Sequence, residues 1–219
     1  VTPYYEHAGI TIYHADCRVV LPELSADVVL TDLPYGIDLD YGDGYTDTPE
    51  NLDALVADAL PLMLKAAPVV ALTCGVSNVW RYPAGAWILC WYQSDATGGR
   101  GKWGFSGWQP IIVYGTDPYL RRGRGARPDV IITAIPKTGR DKKLGHPCVK
   151  PIQAWRKILM RVSPDESDVI LDPFMGAGST LLAAKSTGRR AIGVEIEERF
   201  CEIAAGRLGQ ELLDFGGAA

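Results

Sequence analysis

Apolar residues in this chain gather into eight short runs, each closed by polar or turn-forming residues: Gly9 to His14, Asp27 to Thr31, Pro68 to Cys74, Ala86 to Tyr92, Pro110 to Tyr114, Asp129 to Ile132, Asp168 to Leu171 and Arg190 to Glu195. Near-continuous apolarity over so few residues is the pattern of strands buried on both faces, where neither face alternates toward water. Between several of them the period changes to that of a helix. Residues 50–66 carry Leu52, Leu55, Val56, Ala59 and Leu62 at helical spacing, with Pro61 expected to distort the helix because it lacks a backbone donor. Pro151 opens residues 151–162 at a first-turn position where an N–H would be unpaired anyway. Residues 178–187 and 197–208 supply two more helices. Strands alternating with helices of this length predict an α/β sheet with helices on both faces.

No internal repeat or linker divides the chain, so residues 1–219 are expected to form one domain. Two stretches do not fit the scaffold. Gly36 to Pro49 holds three glycines, four aspartates and two tyrosines, and reads as a mobile surface loop. Tyr119 to Pro128 holds four arginines with two glycines between them. Neither is suited to a core.

Composition narrows the class. With 47% hydrophobic and 22% charged residues in 219, the chain is an ordinary globular domain rather than a disordered or collagen-like one. Its net charge of -4 argues, taken whole, against a nucleic-acid partner. Resolved along the chain the charge is uneven: residues 1–99 carry -10, residues 100–157 carry +10 and residues 158–219 carry -4. Cysteines stand at 17, 74, 90, 148 and 201, with no CxxC pair and no histidine cluster, so neither a zinc site nor a disulfide framework is expected. No run of eighteen apolar residues occurs, and Val1 to Tyr5 lacks a basic-then-apolar leader, which leads us to expect a reduced, cytoplasmic protein.

The strongest local motif is Val169-Ile170-Leu171-Asp172-Pro173-Phe174-Met175-Gly176-Ala177-Gly178-Ser179-Thr180. A buried strand ends at Asp172 and a glycine-containing turn opens a helix, a geometry that sets a ligand against the end of a strand. A phosphate-gripping loop would need Gly-Lys-Ser/Thr, and a dinucleotide fingerprint would need glycine where Leu181 stands. The loop therefore suits a ligand that is not a pyrophosphate. A second strand ends at Glu195, placed to accept hydrogen bonds from the two hydroxyls of a ribose.

The other motif is Asp32-Leu33-Pro34-Tyr35, which follows the apolar run Val28 to Thr31. It delivers a carboxylate, a main-chain carbonyl restrained by proline and an aromatic ring within four residues. An exocyclic amine on adenine or cytosine is a poor nucleophile because its lone pair is delocalised into the ring. Two acceptors on its two N–H groups, the Asp32 carboxylate and the Leu33 carbonyl, hold the nitrogen closer to tetrahedral, and Tyr35 offers a stacking surface. Taken alone, the same four residues also suit a strand ending in a β-turn.

Together these segments resemble the DNA amino-methyltransferases of the β arrangement, in which the catalytic motif precedes the cofactor motif. Asp32 to Tyr35 is similar to that family's Asp-Pro-Pro-Tyr, and His146-Pro147-Cys148-Val149-Lys150-Pro151 to its His-Pro-Thr-x-Lys-Pro. Leu171 to Thr180 resembles its cofactor loop, and Gly193 to Glu197 with the helix through Arg207 resembles the strand and helix that follow. Tyr13-His14-Ala15-Asp16-Cys17 is similar to its Gly-Asp-Cys entry, with Ala15 in place of glycine. The matches run in family order from about residue 10 to 208. Leu33 replaces a family proline yet still supplies the main-chain carbonyl, whereas Cys148 replaces a threonine and removes a hydroxyl.

The resemblance implies a circularly permuted Rossmann-like methyltransferase sheet, mostly parallel with an antiparallel edge strand. The strand ending near Asp16 would follow the one ending at Glu195, and the strand ending at Asp32 would lie on the far side of the one ending at Asp172. It implies S-adenosyl-L-methionine as cofactor. Glu195 would take its ribose and Asp16, beside Cys17, its adenine amine. The loop with Phe174, Gly176, Gly178, Ser179 and Thr180 would hold its body, Lys150 its carboxylate, and Asp172 would lie near its methionine amine. The reaction implied is methylation of adenine N6 in a short DNA site, since Asp rather than Ser stands at 32, in a prokaryotic or phage-encoded enzyme, with a homodimer or a restriction-modification setting both compatible. Cytosine N4 methylation is the alternative, followed by RNA methylation and a non-catalytic DNA-binding subunit.

A paired base has to leave the duplex before its amine can react, at a cost of roughly a few kcal/mol. The basic window supplies candidate phosphate contacts: Arg100, Lys102, Arg121, Arg122, Arg124, Arg127, Lys142 and Lys143. Trp103, Phe105 and Trp108 are interleaved with them, Trp108 reading as a core residue at the start of a strand. The target-recognition insertion is placed at about residues 117–144, a length that leaves room for few base contacts and predicts a short or degenerate site.

Overall fold

The computed structural model describes residues 1–40, 45–93, 100–101, 103–134 and 149–210, with residues 100 and 101 described through their backbone alone. In chain order its elements are β1 (Tyr5–His7), β2 (Ile10–His14), α1 (Cys17–Val20), β3 (Val28–Asp32), α2 (Pro49–Ala66), β4 (Val69–Thr73), β5 (Trp87–Gln93), β6 (Arg100–Gly101), β7 (Gly104–Phe105), β8 (Trp108–Gly115), α3 (Pro118–Arg121), β9 (Val130–Thr133), α4 (Ile152–Val162), β10 (Val169–Asp172), α5 (Ser179–Lys185), β11 (Arg190–Glu195) and α6 (Glu198–Gln210). Each of the eight apolar runs is a strand. Nine strands form one sheet in the order β1-β2-β11-β10-β3-β4-β8-β5-β9, and β6 with β7 makes a separate two-stranded ribbon.

Strands β2, β11, β10, β3 and β4 are mutually parallel, so their carboxyl ends share one edge of the sheet. The expected neighbours are in place: β2 lies beside β11, and β3 lies on the far side of β10. Strand β1 is the antiparallel edge strand. Strand β8 is also antiparallel but sits inside the sheet, between β4 and β5, and β9 pairs parallel to β5 at the other edge. It follows that β5 and β9 end at the same edge as the five parallel strands, while β8 ends at the opposite one.

Alternate residues of each strand face different cores. On one side α4, α5 and α6 cover Ile10, Ile12, Val28, Leu30, Ile170 and Ala191, and on the other α1 and α2 cover Val29, Val70, Leu72, Leu171 and Val194. Both faces are covered over β10, β3 and β4, which is the physical origin of their continuous apolar runs, whereas β5 and β9 leave Trp87, Ile88, Val130 and Ile132 exposed and so depart from the expected two-sided burial. Helix α2 is capped by Thr48, whose hydroxyl accepts from the Asn51 N–H, and has Pro49 in its first turn. It runs through Pro61 without a break while burying Leu52, Val56, Ala59, Leu60, Met63 and Ala66. Burial of that face, about 1.5–3 kcal/mol for each large side chain, outweighs the donor lost at proline.

The aspartate-rich loop differs from its compositional reading. Asp47 is buried and accepts from the N–H groups of Gly36 at 2.6 Å, Ile37 at 3.1 Å and Leu39 at 3.1 Å. The described part of the loop is therefore tied back onto the end of β3 by one carboxylate.

Candidate active site

Three carboxylates end neighbouring strands at the carboxyl edge: Asp32 on β3, Asp172 on β10 and Glu195 on β11. They line one open pocket. Its walls also include Asp16 and Cys17 at the start of α1, Pro34, Lys150, and Phe174, Gly176, Ser179 and Thr180 around the β10–α5 turn. Leu33, Tyr35 and Gly178 are not among its lining residues.

The turn is shaped by two glycines in the left-handed region, Gly176 at φ +48° and Gly178 at φ +77°. A Cβ on Gly178 would stand 2.9 Å from the Cβ of Ala204, so the start of α5 packs directly on α6. Met175 N–H donates to the Val194 carbonyl at 3.1 Å, stitching the turn to β11. Ser179 donates to the Lys150 carbonyl at 3.0 Å, and the Trp155 indole donates to the Thr180 hydroxyl at 2.5 Å. These two hydroxyls thus fasten the turn to α4 and to the segment before it.

Asp172 accepts from the Thr31 hydroxyl at 2.7 Å and the Phe174 N–H at 3.1 Å. Glu195 accepts from the N–H groups of Gly176 and Glu197, both at 2.9 Å. Neither carboxylate forms an ion pair with a lysine or arginine among the described residues. Burial, only partly offset by these donors, pushes Asp172 up to about 6 and Glu195 up to about 7. Such a pair suits a ligand carrying positive charge and hydroxyl groups.

Asp32 sits at the front of the pocket with both oxygens engaged. Its Oδ1 accepts from the Tyr35 hydroxyl at 2.7 Å and from the Thr73 hydroxyl, and its Oδ2 pairs with Lys150 Nζ at 2.7 Å. Lys150 Nζ lies 3.2 Å from the Tyr35 hydroxyl and 5.0 Å from the centre of its ring. The structure therefore places Lys150 on the Asp32 carboxylate, whereas the motif reading placed it on a ligand's carboxylate. Gln109 on β8 donates to the Tyr35 hydroxyl, and Asn78 donates to the Tyr35 carbonyl at 2.6 Å. Strand register explains Thr73, which is the β4 partner of Asp32. Gln109 left no sequence signal, because its strand is joined to the site only by the sheet order.

Asp16 is turned toward Arg18. It caps α1 by accepting the Arg18 N–H at 2.9 Å and takes the guanidinium on both oxygens, at 2.6 to 3.0 Å, which lowers its pKa. Arg18 also reaches Asp58 at 3.1 Å. Cys17 lines the same wall, and burial pushes its thiol up to about 12. Tyr45, Met175 and Phe200 complete the apolar lining, residues that the motifs did not single out.

The arginines expected on DNA stand apart from the pocket. Strand β8 ends at Gly115 opposite Val69, the start of β4, so Arg121, Arg122, Arg124 and Arg127 lie at the amino edge of the sheet, away from the pocket. Arg122 pairs with Asp168 and Asp165, both at 2.6 Å, and Arg124 pairs with Asp165 and donates to the Pro164 carbonyl at 3.0 Å. Arg127 stacks over Tyr119 at 4.8 Å. The basic window had been counted along the chain, and its acidic partners come from forty residues further on. The interval at 117–144 divides accordingly: α3 and β9 belong to the scaffold, and residues 135–144, with Lys142 and Lys143, lie outside the described residues, as do Lys102, the His146-Pro147-Cys148 segment and the Arg100 side chain. Trp108 does start a strand but is 39% exposed rather than core.

Known proteins agree with this picture. The Type II methyltransferase M.ScaI of Streptomyces caespitosus is 27% identical over 263 residues, covering 95% of this chain and 84% of that one. M.HpaI of Haemophilus parainfluenzae is 25% identical over 231 residues, covering 89% and 72%. Among solved structures, the M1.HpyAVI–SAM complex superposes with a TM-score of 0.66 at 21% identity, covering 91% of this chain and 98% of that one. The PvuII DNA methyltransferase, cytosine-N4-specific, gives 0.71 at 14% identity, covering 99% and 90%. No described helix is long and apolar enough to cross a membrane. A family model for N6/N4 DNA methylases matches residues 74–206, more than half of the chain, and the chain belongs to that family.

Proposed function

We propose that the protein methylates the N6 amine of adenine in DNA with S-adenosylmethionine as methyl donor. The observation that carries this reading is the meeting of Asp32 and Pro34 with Asp172 and Glu195 in one pocket, which sets an amine-holding motif beside a site for a cationic ligand. When bound, the cofactor supplies an electrophilic methyl group on a positively charged sulfur. The pocket fits it: two buried carboxylates that have no cationic partner among the described residues suit positive charge and hydroxyls, and the turn at Gly176 lets backbone approach closely. Glu195 is suited to the ribose hydroxyls and Asp172 to the ammonium group.

The chain's own residues do the rest. Asp32 and the Leu33 carbonyl accept the two N–H groups of the target amine, keeping its lone pair directed at the methyl carbon, with the reacting atoms about 3–3.5 Å apart. Thr73 and Tyr35 fix Asp32 Oδ1, so Oδ2 is the oxygen that exchanges Lys150 for substrate. Lys150 would hold the cofactor's carboxylate, and in doing so would leave that oxygen open. The proton lost by the amine passes through Asp32 to water. The target base reaches this point by leaving the duplex. Asp at position 32 supports adenine as the target.

The test is direct. Protein, methyl-labelled cofactor and unmethylated DNA are incubated, the DNA is digested to nucleosides, and the labelled one is identified by mass spectrometry. Label on adenine N6 is expected. Label on cytosine N4 removes the adenine assignment, and full activity in Asp32→Ala removes the role given to that carboxylate.

A further inference from the structure

We propose that the β6–β7 ribbon is a wedge that enters DNA, with Trp103 stacking in the gap left by the extruded target nucleotide. The proposal rests on the DNA-methylation reading above and adds the element that opens the duplex.

Trp103 stands at the turn of the ribbon and is 102% exposed, and Phe105 beside it is 68% exposed. Positions for a Cβ on Gly104 and Gly107 meet nothing within 4 Å, so the turn stands clear of the body. Large aromatic side chains held out into water in this way mark an interaction surface. The ribbon leaves the sheet at the carboxyl edge. Its neck is closed by the Gln93 N–H donating to the Gly107 carbonyl at 3.2 Å, and the Ser106 hydroxyl braces the exit by donating to the Trp108 carbonyl at 2.7 Å. Two residues beyond the neck, Gln109 touches the Tyr35 hydroxyl. Six residues separate Trp103 from Gln109, which limits their separation to roughly 20 Å of extended chain. The wedge and the amine-holding motif are therefore on one short, anchored lever.

Shape and charge select the occupant. Two strands about 4.8 Å apart make a ribbon that the major groove, about 12 Å wide, admits. The ribbon falls within the segment of the chain, residues 100–157, that carries +10. Apolar wedges that separate base steps are a common way to hold a distorted duplex, and an indole stacks on any base without regard to sequence.

The experiment compares the full-length chain with Trp103→Ala, Trp103→Phe and Trp87→Ala, the last an exposed tryptophan at the opposite edge of the sheet. Binding is read by fluorescence anisotropy on a duplex containing the site that the wild-type protein methylates, and extrusion by 2-aminopurine at the target position. Trp103→Ala is expected to weaken binding to the intact duplex about tenfold and to lose the 2-aminopurine signal. Trp103→Phe and Trp87→Ala are expected to stay near wild type, and a mismatch at the target position is expected to restore methylation by Trp103→Ala. Unchanged affinity and extrusion in Trp103→Ala overturn the wedge while leaving the methylation reading intact. A change of oligomeric state in that variant, seen by sedimentation, also overturns it and assigns the aromatic surface to a second copy. A wild-type protein that labels no DNA overturns the functional reading itself.

Discussion

Asp168 and Asp172 bracket strand β10, and each is 3% exposed, yet their charges are handled in opposite ways. Asp168, at the amino edge, takes Arg122 through both oxygens at 3.0 and 2.6 Å and the Ser163 hydroxyl at 2.8 Å, and its pKa is lowered. Arg189 completes this knot by donating to the Ser163 hydroxyl at 2.9 Å and the Ser163 carbonyl at 2.8 Å. Asp172, about 13 Å away at the carboxyl edge, receives only neutral donors and its pKa is raised to about 6. A buried carboxylate neutralised by the fold holds the fold. One left uncompensated is a cost that a cationic ligand can relieve. The two edges of the sheet thus treat buried charge differently, and Arg122 and Arg124 take part in the ion pairs of the amino edge.

The contrast can be broken at several points, here in descending order of effect. Asp168→Ala should cost about 3–5 kcal/mol of stability, since it removes the buried acceptor shared by Arg122 and the Ser163 hydroxyl, while the folded fraction keeps its affinity for cofactor. Thermal unfolding and calorimetric titration measure the two. Asp32→Ala should do the reverse, lowering the rate of methyl transfer by about 10²–10³ with the melting temperature within a few degrees; single-turnover kinetics read it.

Acidity probes the same divide. Below about pH 4 both folded and unfolded chains carry Asp172 and Glu195 protonated. As pH rises toward 7 the unfolded chain ionises first, because the folded pKa values are about 6 and about 7. The stability contributed by these groups therefore falls between about pH 4 and 8 and is flat above, by on the order of 6 kcal/mol for the two together. Denaturant titrations of wild type against the double variant Asp172→Asn, Glu195→Gln should show that difference in slope, and equal slopes would refute it. Glu195→Gln alone should weaken cofactor binding about tenfold to a hundredfold, the loss of one charge-assisted acceptor. The smallest effect is reserved for Arg124→Ala. Its exposed pair with Asp165 should be worth under about 1 kcal/mol, and DNA affinity should not change, whereas a steep loss of DNA binding would return this cluster to the nucleic-acid surface.

Much of the scaffold was legible because burial writes itself into sequence. Strands covered on both faces cannot hide their apolar runs, and Asp32, Asp172 and Glu195 stand out as the acids that close three of them. Short elements were not legible. Strand β1, with Tyr5 partly buried and Glu6 and His7 exposed, pairs with β2 without an apolar signature, and α1 is four residues long behind a single capping aspartate. Contacts between distant segments were hidden for a different reason. Arg122 meets Asp168 and Gln109 meets Tyr35 only after the sheet has ordered its strands, and no local pattern encodes that order.

Cys17 has a bearing on chemical self-restraint. A sulfur nucleophile lines the pocket proposed to receive an electrophilic methyl donor, and thiolates react with such reagents readily. Burial pushes this thiol up to about 12, so at neutral pH on the order of one molecule in 10⁴ or fewer presents the reactive form. On the reading proposed above, the wall beside the donor is thereby kept inert, and the methyl group is left for the amine that Asp32 would hold.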